Sequence, residues 1–556
     1  MKRKIIPILI IFVLFAAIAP LFAFADVHGQ KTNFFVEKDY DKLDRTNISA
    51  TLRVIGIRSY IYFEDTWWDS LSDLERQNVL TKTSELSHEF DNRIYPVLTQ
   101  FYGSENNPGI DDDPKITILL QQMEEGVGGY DRQIDEYYIA QAPGSNQREM
   151  VYLSTEYVLT RNIKDYLSHE FTHLIIFNQK GKILDSEEEI WLTEAIADYS
   201  PTLLGYNSDF QGSNLQNRIN EFIESPNDSL LEWNSSQSDY AIINLFTHYL
   251  VDQYGLDVLS SIVKNSKTGI SAIEDVLSKK GINKTFSEIF RDWVIAIYLN
   301  DCNIGEYYCF KNANLSNFHL TPSLIFLPAT SQTNIQLTYE IQNWSARWFK
   351  IIGGDKGLEV TLKNSDSSNL VVPYLLKRNG TELTINKLEN LNVSQKIILP
   401  EFAKENISLI LIPVMQETDT AKQKSSYSFS VGIKTLIDTT SNDALIAQLQ
   451  QKIIELQKIL NELLAKQESC TSITKNLYYG MRNDPQIKCL QSFLLKQAVY
   501  PEGLITGNFG SLTKQAVVRF QEKYKADILT PLGLTTGTGN VGPSTRSKIN
   551  QLLGNL

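Results

Sequence analysis

The sequence predicts a multidomain protein: a mixed α/β lobe, a helical lobe, an all-β sandwich, a short heptad helix and a small all-α domain. Three observations predict it. The chain is 556 residues long, enough for several domains. Its patterning changes along its length, from mixed strand and helix signals to helix alone, and near residue 311 to short strands between turns. Beyond residue 437 an apolar repeat in threes and fours gives way to amphipathic helices separated by a glycine turn. The expected segments are 1–25, 26–310, 311–437, 438–469 and 470–556.

Composition narrows the partners. Hydrophobic content of 42% and charged content of 21% are ordinary for folded protein. A formal net charge of −13 argues against nucleic acid, which needs basic stripes to neutralise phosphates. It leaves peptide and glycan partners open.

Met1-Lys2-Arg3-Lys4 is a basic start, Ile5–Phe15 an apolar run, and Ala23-Phe24-Ala25 a small-x-small cleavage site before Asp26. This predicts a signal peptide over 1–25 and a secreted or extracytoplasmic protein. The alternative is an uncleaved anchor; Pro7, Pro20 and the Ala-Phe-Ala site favour cleavage. Four cysteines in an exported chain invite local pairing, 302 with 309 and 470 with 489.

In the first lobe, Ala50–Phe63 reads as a strand, and Trp67–Tyr95 as a helix capped by Thr66 or Asp65 and ended by Pro96. Lys115–Leu120 and Met150–Leu153 read as further strands. Asp111-Asp112-Asp113 lacks the downstream glutamate of a calcium loop and reads as a solvated turn. Gly126–Tyr130 lacks the Lys-Ser/Thr of a phosphate loop and reads as a mobile loop near a cleft.

The chemistry concentrates in His169-Glu170-Phe171-Thr172-His173. On a helix, positions four apart lie nearly above one another, so both imidazoles can hold one metal ion, with Glu170 beside them. Two histidines leave a tetrahedral zinc site short of a ligand, and Glu194 in Trp191-Leu192-Thr193-Glu194-Ala195-Ile196-Ala197-Asp198 is available. His88-Glu89-Phe90-Asp91-Asn92 has no second histidine and reads as a solvated helix face. A structural zinc site or a degenerate enzyme is the competing reading of the motif.

His-Glu-x-x-His followed by Glu-x-x-x-Asp resembles the thermolysin-like zinc peptidases, the gluzincins, and the Trp-Leu-Thr-Glu-Ala-Ile-Ala-Asp-Tyr run is similar to their hyicolysin-like branch. The resemblance covers about residues 160–300. It implies His169, His173 and Glu194 as ligands of one zinc ion per chain, Glu170 as general base, and Asp198 as the hydrogen-bond partner of His169. It also implies a zincin-type α/β lobe, and an oxyanion donor on a later helix. Tyr240 is the first choice for that donor and His248 the second, against the plainer reading that Tyr240 packs and His248 lies on the surface. The helix carrying both runs from Tyr240 to Gln253 and stops at Gly255; Phe286–Tyr298 is the lobe's last helix.

Between Phe318 and Leu436, the runs 334–339, 358–362, 396–399, 408–412 and 427–431 read as sandwich strands. Ile446, Leu449, Ile453, Leu456, Leu460 and Leu463 give three heptads within 443–467, short for a stable coiled coil: either weak self-association or a semi-rigid spacer. Residues 470–556 resemble the peptidoglycan-binding domain of bacterial wall hydrolases. The resemblance rests on Cys489–Leu494, Ile505–Gly510, Thr513–Gln521 and Val541–Thr545.

Together the resemblances imply an exported zinc endopeptidase, acting on protein or peptide and held at the cell wall. The rivals are a wall-binding scaffold without activity, and a zinc peptidase or amidase acting on peptidoglycan itself.

Overall fold

The computed structural model describes residues 25–554, except 329–332, 355–356, 366–367, 379–381, 404–406, 419–425, 437–470 and 502. Most of the expected signal peptide, the heptad segment and Cys470 lie outside the described residues. The chain divides into two compact units, Met1–Glu187 and Glu188–Leu556.

The first unit is built on a six-stranded sheet: β1 (Lys31–Phe35), β2 (Asn47–Ile55), β3 (Ser59–Glu64), β4 (Ile116–Gln121), β5 (Gly129–Asp131) and β6 (Met150–Ser154), in the order β1-β2-β3-β4-β6-β5. The β3–β4 and β4–β6 pairs are parallel, and β5 is antiparallel to β6 at the edge. Strands β3, β4 and β6 are buried along their whole length, which explains their nearly continuous apolar runs.

Three expectations are corrected here. Residues 50–63 are not one strand but the hairpin of β2 and β3. The chain turns at Gly56-Ile57-Arg58, where Asp91 accepts the Ile57 and Arg58 main-chain N–H groups at 2.8 and 2.7 Å. The helix over 67–95 is broken. Helix α1 (Asp65–Ser70) ends at extended Leu71, and α2 (Asp73–Glu89) restarts on a capping box in which Ser72 and Glu75 satisfy each other's main-chain donors. After a π-helical turn the chain continues as α3 (Tyr95–Tyr102), so Pro96 sits in a first turn, where its missing N–H costs nothing, rather than ending a helix. The Gly126–Tyr130 loop is also no loop at its end: Gly129-Tyr130-Asp131 pairs in register with Leu153-Tyr152-Val151. His88 lies on an exposed stretch of α2, as read.

Helix α4 (Ile163–Ile176) packs along β5 and β6. Its Leu167, Phe171 and Leu174 follow helical spacing and are buried, with Phe171 edge-on to Phe90 at 5.0 Å and stacked on Tyr95 at 5.4 Å.

The second unit begins with helices: α5 (Ile190–Leu203), α6 (Asn214–Glu224), α7 (Gln237–Tyr254), α8 (Asp257–Val263), α9 (Gly269–Lys279) and α10 (Phe286–Leu299). Helix α7 starts on a Ser236–Asp239 capping box and stops at Gly255, whose φ of 97° suits glycine. Trp293 of α10 is fully buried against Phe222 and Phe246, joining α6, α7 and α10. The Cys302–Cys309 disulfide follows.

The sandwich contains more strands than its sequence suggested. They are β7 (Ser323–Leu327), β8 (Asn334–Ile341), β9 (Ser345–Ala346), β10 (Phe349–Gly353), β11 (Gly357–Asn364), β12 (Leu370–Arg378), β13 (Glu382–Leu388), β14 (Gln395–Leu399), β15 (Ser408–Leu411), β16 (Val414–Met415) and β17 (Tyr427–Leu436). They form a seven-stranded sheet, β7-β10-β15-β12-β16-β9 with β13 on β12, and a four-stranded sheet, β14-β11-β17-β8. Leu358, Val360, Leu409, Leu411, Phe429 and Val431 alternate inward from both sheets into one core.

At the C-terminus, α11 (Pro485–Lys496), α12 (Ser511–Lys523), the short α13 (Lys525–Ile528) and α14 (Pro543–Leu553) pack around Phe493, Val517, Phe520 and Ile549. Cys489 is disulfide-bonded. The module repeats one device. Buried Gln491 donates to Asn508 O (2.9 Å) and Thr513 Oγ1 (3.0 Å) and accepts from Gly507 N (2.9 Å). Buried Gln521 donates to Asn540 O (2.7 Å) and Thr545 Oγ1 (2.9 Å) and accepts from Gly539 N (2.9 Å). Among the described residues no helix is long and apolar enough to cross a membrane.

Candidate metal centre

Helix α4 turns its apolar stripe into the first unit and leaves His169, Glu170 and His173 on a neighbouring stripe. The imidazole centroids of His169 and His173 are 4.8 Å apart, as the i, i+4 spacing requires. One ligand atom from each of His169, Glu170 and His173 lies within 4.8 Å of the others. His169 is half-buried, while Glu170 and His173 are buried. Two imidazoles four residues apart on one helix, with a carboxylate beside them, have the spacing of a catalytic zinc site. This is a zinc-binding catalytic site of the metallopeptidase type.

The edge strand is fitted to this centre. A Cβ placed on Gly129 would lie 3.0 Å from both Cγ and Oε1 of Glu170 and 2.7 Å from Tyr152 O; one on Gly128 would enter the Tyr166 ring at 2.1 Å. The paired glycines let the β5 backbone run directly against the metallopeptidase carboxylate. That close approach is what the glycine-rich sequence encodes.

The C-terminal module has a family. Residues 483–549 match the family described as "Putative peptidoglycan binding domain". The peptidoglycan-binding module therefore occupies the helical segment with the two glutamine-closed loops. No curated protein matches the chain. Solved structures that overlap part of it include the Yersinia pseudotuberculosis-derived mitogen (TM-score 0.16, 11% identity, 20% of this chain and 93% of that one). The periplasmic lysozyme inhibitors PliG of Aeromonas hydrophila (0.15, 13%, 21% and 100%) and Salmonella Typhimurium (0.15, 15%, 21% and 100%) overlap it similarly. No fold assignment rests on such scores.

The other residues singled out by sequence belong to the second unit. Glu194 is partly exposed on α5, and Asp198, one turn further on, is 2% exposed. Asp198 accepts from Arg218 Nε at 3.1 Å and Nη2 at 2.9 Å, from Asn244 Nδ2 at 2.7 Å and from Asn214 Nδ2 at 3.1 Å. Helices α5, α6 and α7 are thus joined at one carboxylate. Arg218 also donates to Glu221 at 3.0 Å and lies 4.6 Å from the centroid of the Tyr240 ring. Tyr240 is partly buried and edge-on to Trp233 at 4.9 Å. Sequence reasoning missed Arg218, Asn214 and Asn244. The available signal was Arg218 itself, the one basic residue in Asn214–Glu224.

His248 is not on the surface. It is 1% exposed, with Nε2 3.3 Å from Thr202 Oγ1 and Nδ1 3.3 Å from Asn312 Nδ2, and burial pushes its pKa down to about 4. It is neutral at physiological pH and packs as a core residue. Glu188 accepts from Gly269 N at 2.6 Å, and Glu189 from the Trp191 indole at 2.7 Å, so both glutamates next to α5 already have structural work.

Asp198→Asn should remove one of the two carboxylates facing the buried Arg218 guanidinium, leaving Glu221 as its counter-charge, and lower unfolding stability by about 2 kcal/mol. Urea denaturation checks this. A loss below about 0.5 kcal/mol would show that the α5–α6–α7 junction does not depend on the ion pair.

Proposed function

We propose that the chain is a secreted zinc endopeptidase of the gluzincin type, carried to the cell wall by its C-terminal module. The observation that supports this best is the His169–Glu170–His173 cluster lying against the open edge of β5. In this reading Glu194 is the third protein ligand and Asp198 the hydrogen-bond partner that orients His169.

When bound, zinc supplies Lewis acidity, bringing the pKa of a coordinated water toward 7 and polarising a substrate carbonyl. His169 and His173 hold the ion and fix its position on α4. Glu170 takes the proton of the attacking water and returns it to the leaving amine nitrogen. The substrate backbone adds to β5 as a further strand, which brings its carbonyl to Glu170 without a side chain at Gly129 to block it. Tyr240 donates to the oxyanion as charge develops, an interaction whose removal costs about 3 kcal/mol.

The deciding experiment measures zinc stoichiometry and casein hydrolysis before and after chelation. One zinc per chain, with activity lost on chelation and restored by zinc, is the expected result. A chain that binds zinc but cleaves neither protein nor wall peptide would be the inactive scaffold.

The module favours a second substrate. A wall-bound site meets peptidoglycan crosslinks at high local concentration, and turnover on purified peptidoglycan against casein separates the two. A chain ending near Thr435 should cleave a soluble peptide about as fast as the full chain but no longer sediment with insoluble wall. Residues 470–556 should confer sedimentation on an unrelated carrier. A truncated chain that stays wall-bound would overturn the division of labour.

A further inference from the structure

The peptidoglycan-binding module and the helical lobe belong to the same compact unit, Glu188–Leu556, and they touch. Tyr479 Oη donates to Gln237 Oε1 in the first turn of α7. The Tyr479 ring packs against the module's own core, and Lys514 Nζ lies 5.5 Å from its centroid. Gly510, immediately before α12, faces Glu224, the last residue of α6. A Cβ placed on Gly510 would lie 2.5 Å from Glu224 Oε2 and 2.7 Å from its Cδ, so the carboxylate rests on bare backbone. That backbone begins a helix with no side-chain cap, a position that favours an anion.

The two surfaces are complementary in charge. Residues 470–556 carry ten Lys and Arg against four Asp and Glu, a formal +6 in a chain whose total is −13. Residues 219–239, the end of α6 and the approach to α7, hold five acidic residues and no basic one. Burial raises the Glu224 carboxyl, and Arg482 of the module pulls it back. The module's internal repeat supplies a comparison. The loop closed by Gln491 leads to Gly510 and the loop closed by Gln521 leads to Gly542, each extended ahead of a helix, with φ of −87° and −82°. A Cβ on Gly542 would meet nothing within 4 Å. The lobe covers one copy of the device and leaves the other open.

We infer that the α6–α7 surface is a docking site for the chain's own peptidoglycan-binding module, engaged through Tyr479 and the Gly510 loop, so that the helical lobe meets the wall in one fixed orientation. The wall is then bound by faces that docking leaves uncovered, the Gly542 loop among them. Gln237 lies one turn before Tyr240, and the docked module rests on the two helices whose Arg218 and Asn244 hold Asp198. The inference rests on the module's family and not on the peptidase reading.

Pulsed electron–electron resonance on the full chain provides the test, with spin labels on Ser278→Cys of α9 and Ala526→Cys of α13, both exposed positions. The expected result is a single distance distribution, as narrow as that between two labels within the lobe. Glu224→Lys should broaden it by setting like charge against the basic module. Gly510→Asp should broaden it too, because it places a second carboxylate against Glu224 while giving α12 a preferred N-cap residue. Combining the two changes should narrow the distribution again, and Gly542→Asp should leave it unaltered. Should Gly510→Asp fail to fold, Glu224→Lys, which lies outside the module, carries the test alone. The narrow distribution should also persist with saturating soluble peptidoglycan fragments. A broad distribution in the otherwise unaltered chain, or a narrow one that ignores Glu224→Lys, would overturn the docking. Broadening on addition of the fragments would overturn the fixed orientation.

Discussion

Glu170→Gln should leave zinc bound and the fold intact but remove several orders of magnitude of turnover. The amide is isosteric, so the close contact with Gly129 on β5 and the burial of residue 170 persist. It lacks a carboxylate to accept a proton from the attacking water, and general-base assistance together with proton delivery to the leaving amine disappears. Because both losses fall on the transition state, kcat and kcat/KM should drop together while KM changes little. The measurement is steady-state peptide hydrolysis with zinc content determined on the same preparation. Activity within about tenfold of the unaltered protein, at full zinc occupancy, would refute Glu170 as the base.

Glu194→Ala is expected to lose zinc affinity and, with it, activity. His169 and His173 alone offer two nitrogen donors, whereas a catalytic zinc site takes three protein ligands and one open position. Glu188 and Glu189 already accept from Gly269 N and the Trp191 indole, bonds that either would have to share or give up to replace it. Equilibrium dialysis against a zinc buffer should show affinity reduced by at least a hundredfold, with melting of the metal-free protein nearly unchanged. Unaltered zinc affinity would move the third ligand to another residue.

The sequence made the helical part of the site legible because helical spacing is itself a geometric statement. His169 and His173 had to share a face once they lay on one helix, and the 4.8 Å ring separation follows. The peptidoglycan-binding module was legible for a similar reason, since its glycines and glutamines sit at fixed offsets from its helices. The network around Asp198 was not. Arg218 and Asn244 reach that carboxylate from helices well separated in sequence, and a long-range contact between polar side chains leaves no periodic trace. The edge strand was missed because Gly128 and Gly129 have low strand propensity; the packing of Glu170 and Tyr166 against their backbone explains them better than any local preference. The break at Leu71 was misread for the opposite reason. Trp67 and Trp68 continued a plausible apolar pattern, and the Ser72–Glu75 capping box that restarts the helix is a local signal that was passed over. In the sandwich, Leu370–Arg378 carries Pro373, and proline inside a run argues against a strand, yet β12 pairs with β13, β15 and β16.

The four donors converging on Asp198 have a mechanical meaning. A helix packed only by apolar side chains can roll about its own axis at little cost, because one leucine ridge resembles the next. Helix α5 is denied that freedom, since rolling would pull Asp198 away from Arg218, Asn214 and Asn244 at once. Glu194 stands one turn earlier on the same side of the same helix, so its azimuth is set when the protein folds. As the proposed third ligand, Glu194 would meet the metal already aimed, and the ordering cost would fall on folding rather than on each binding event. Zinc should accordingly exchange without rearranging α5, and amide hydrogens along Ile190–Leu203 should show the same protection with and without the ion.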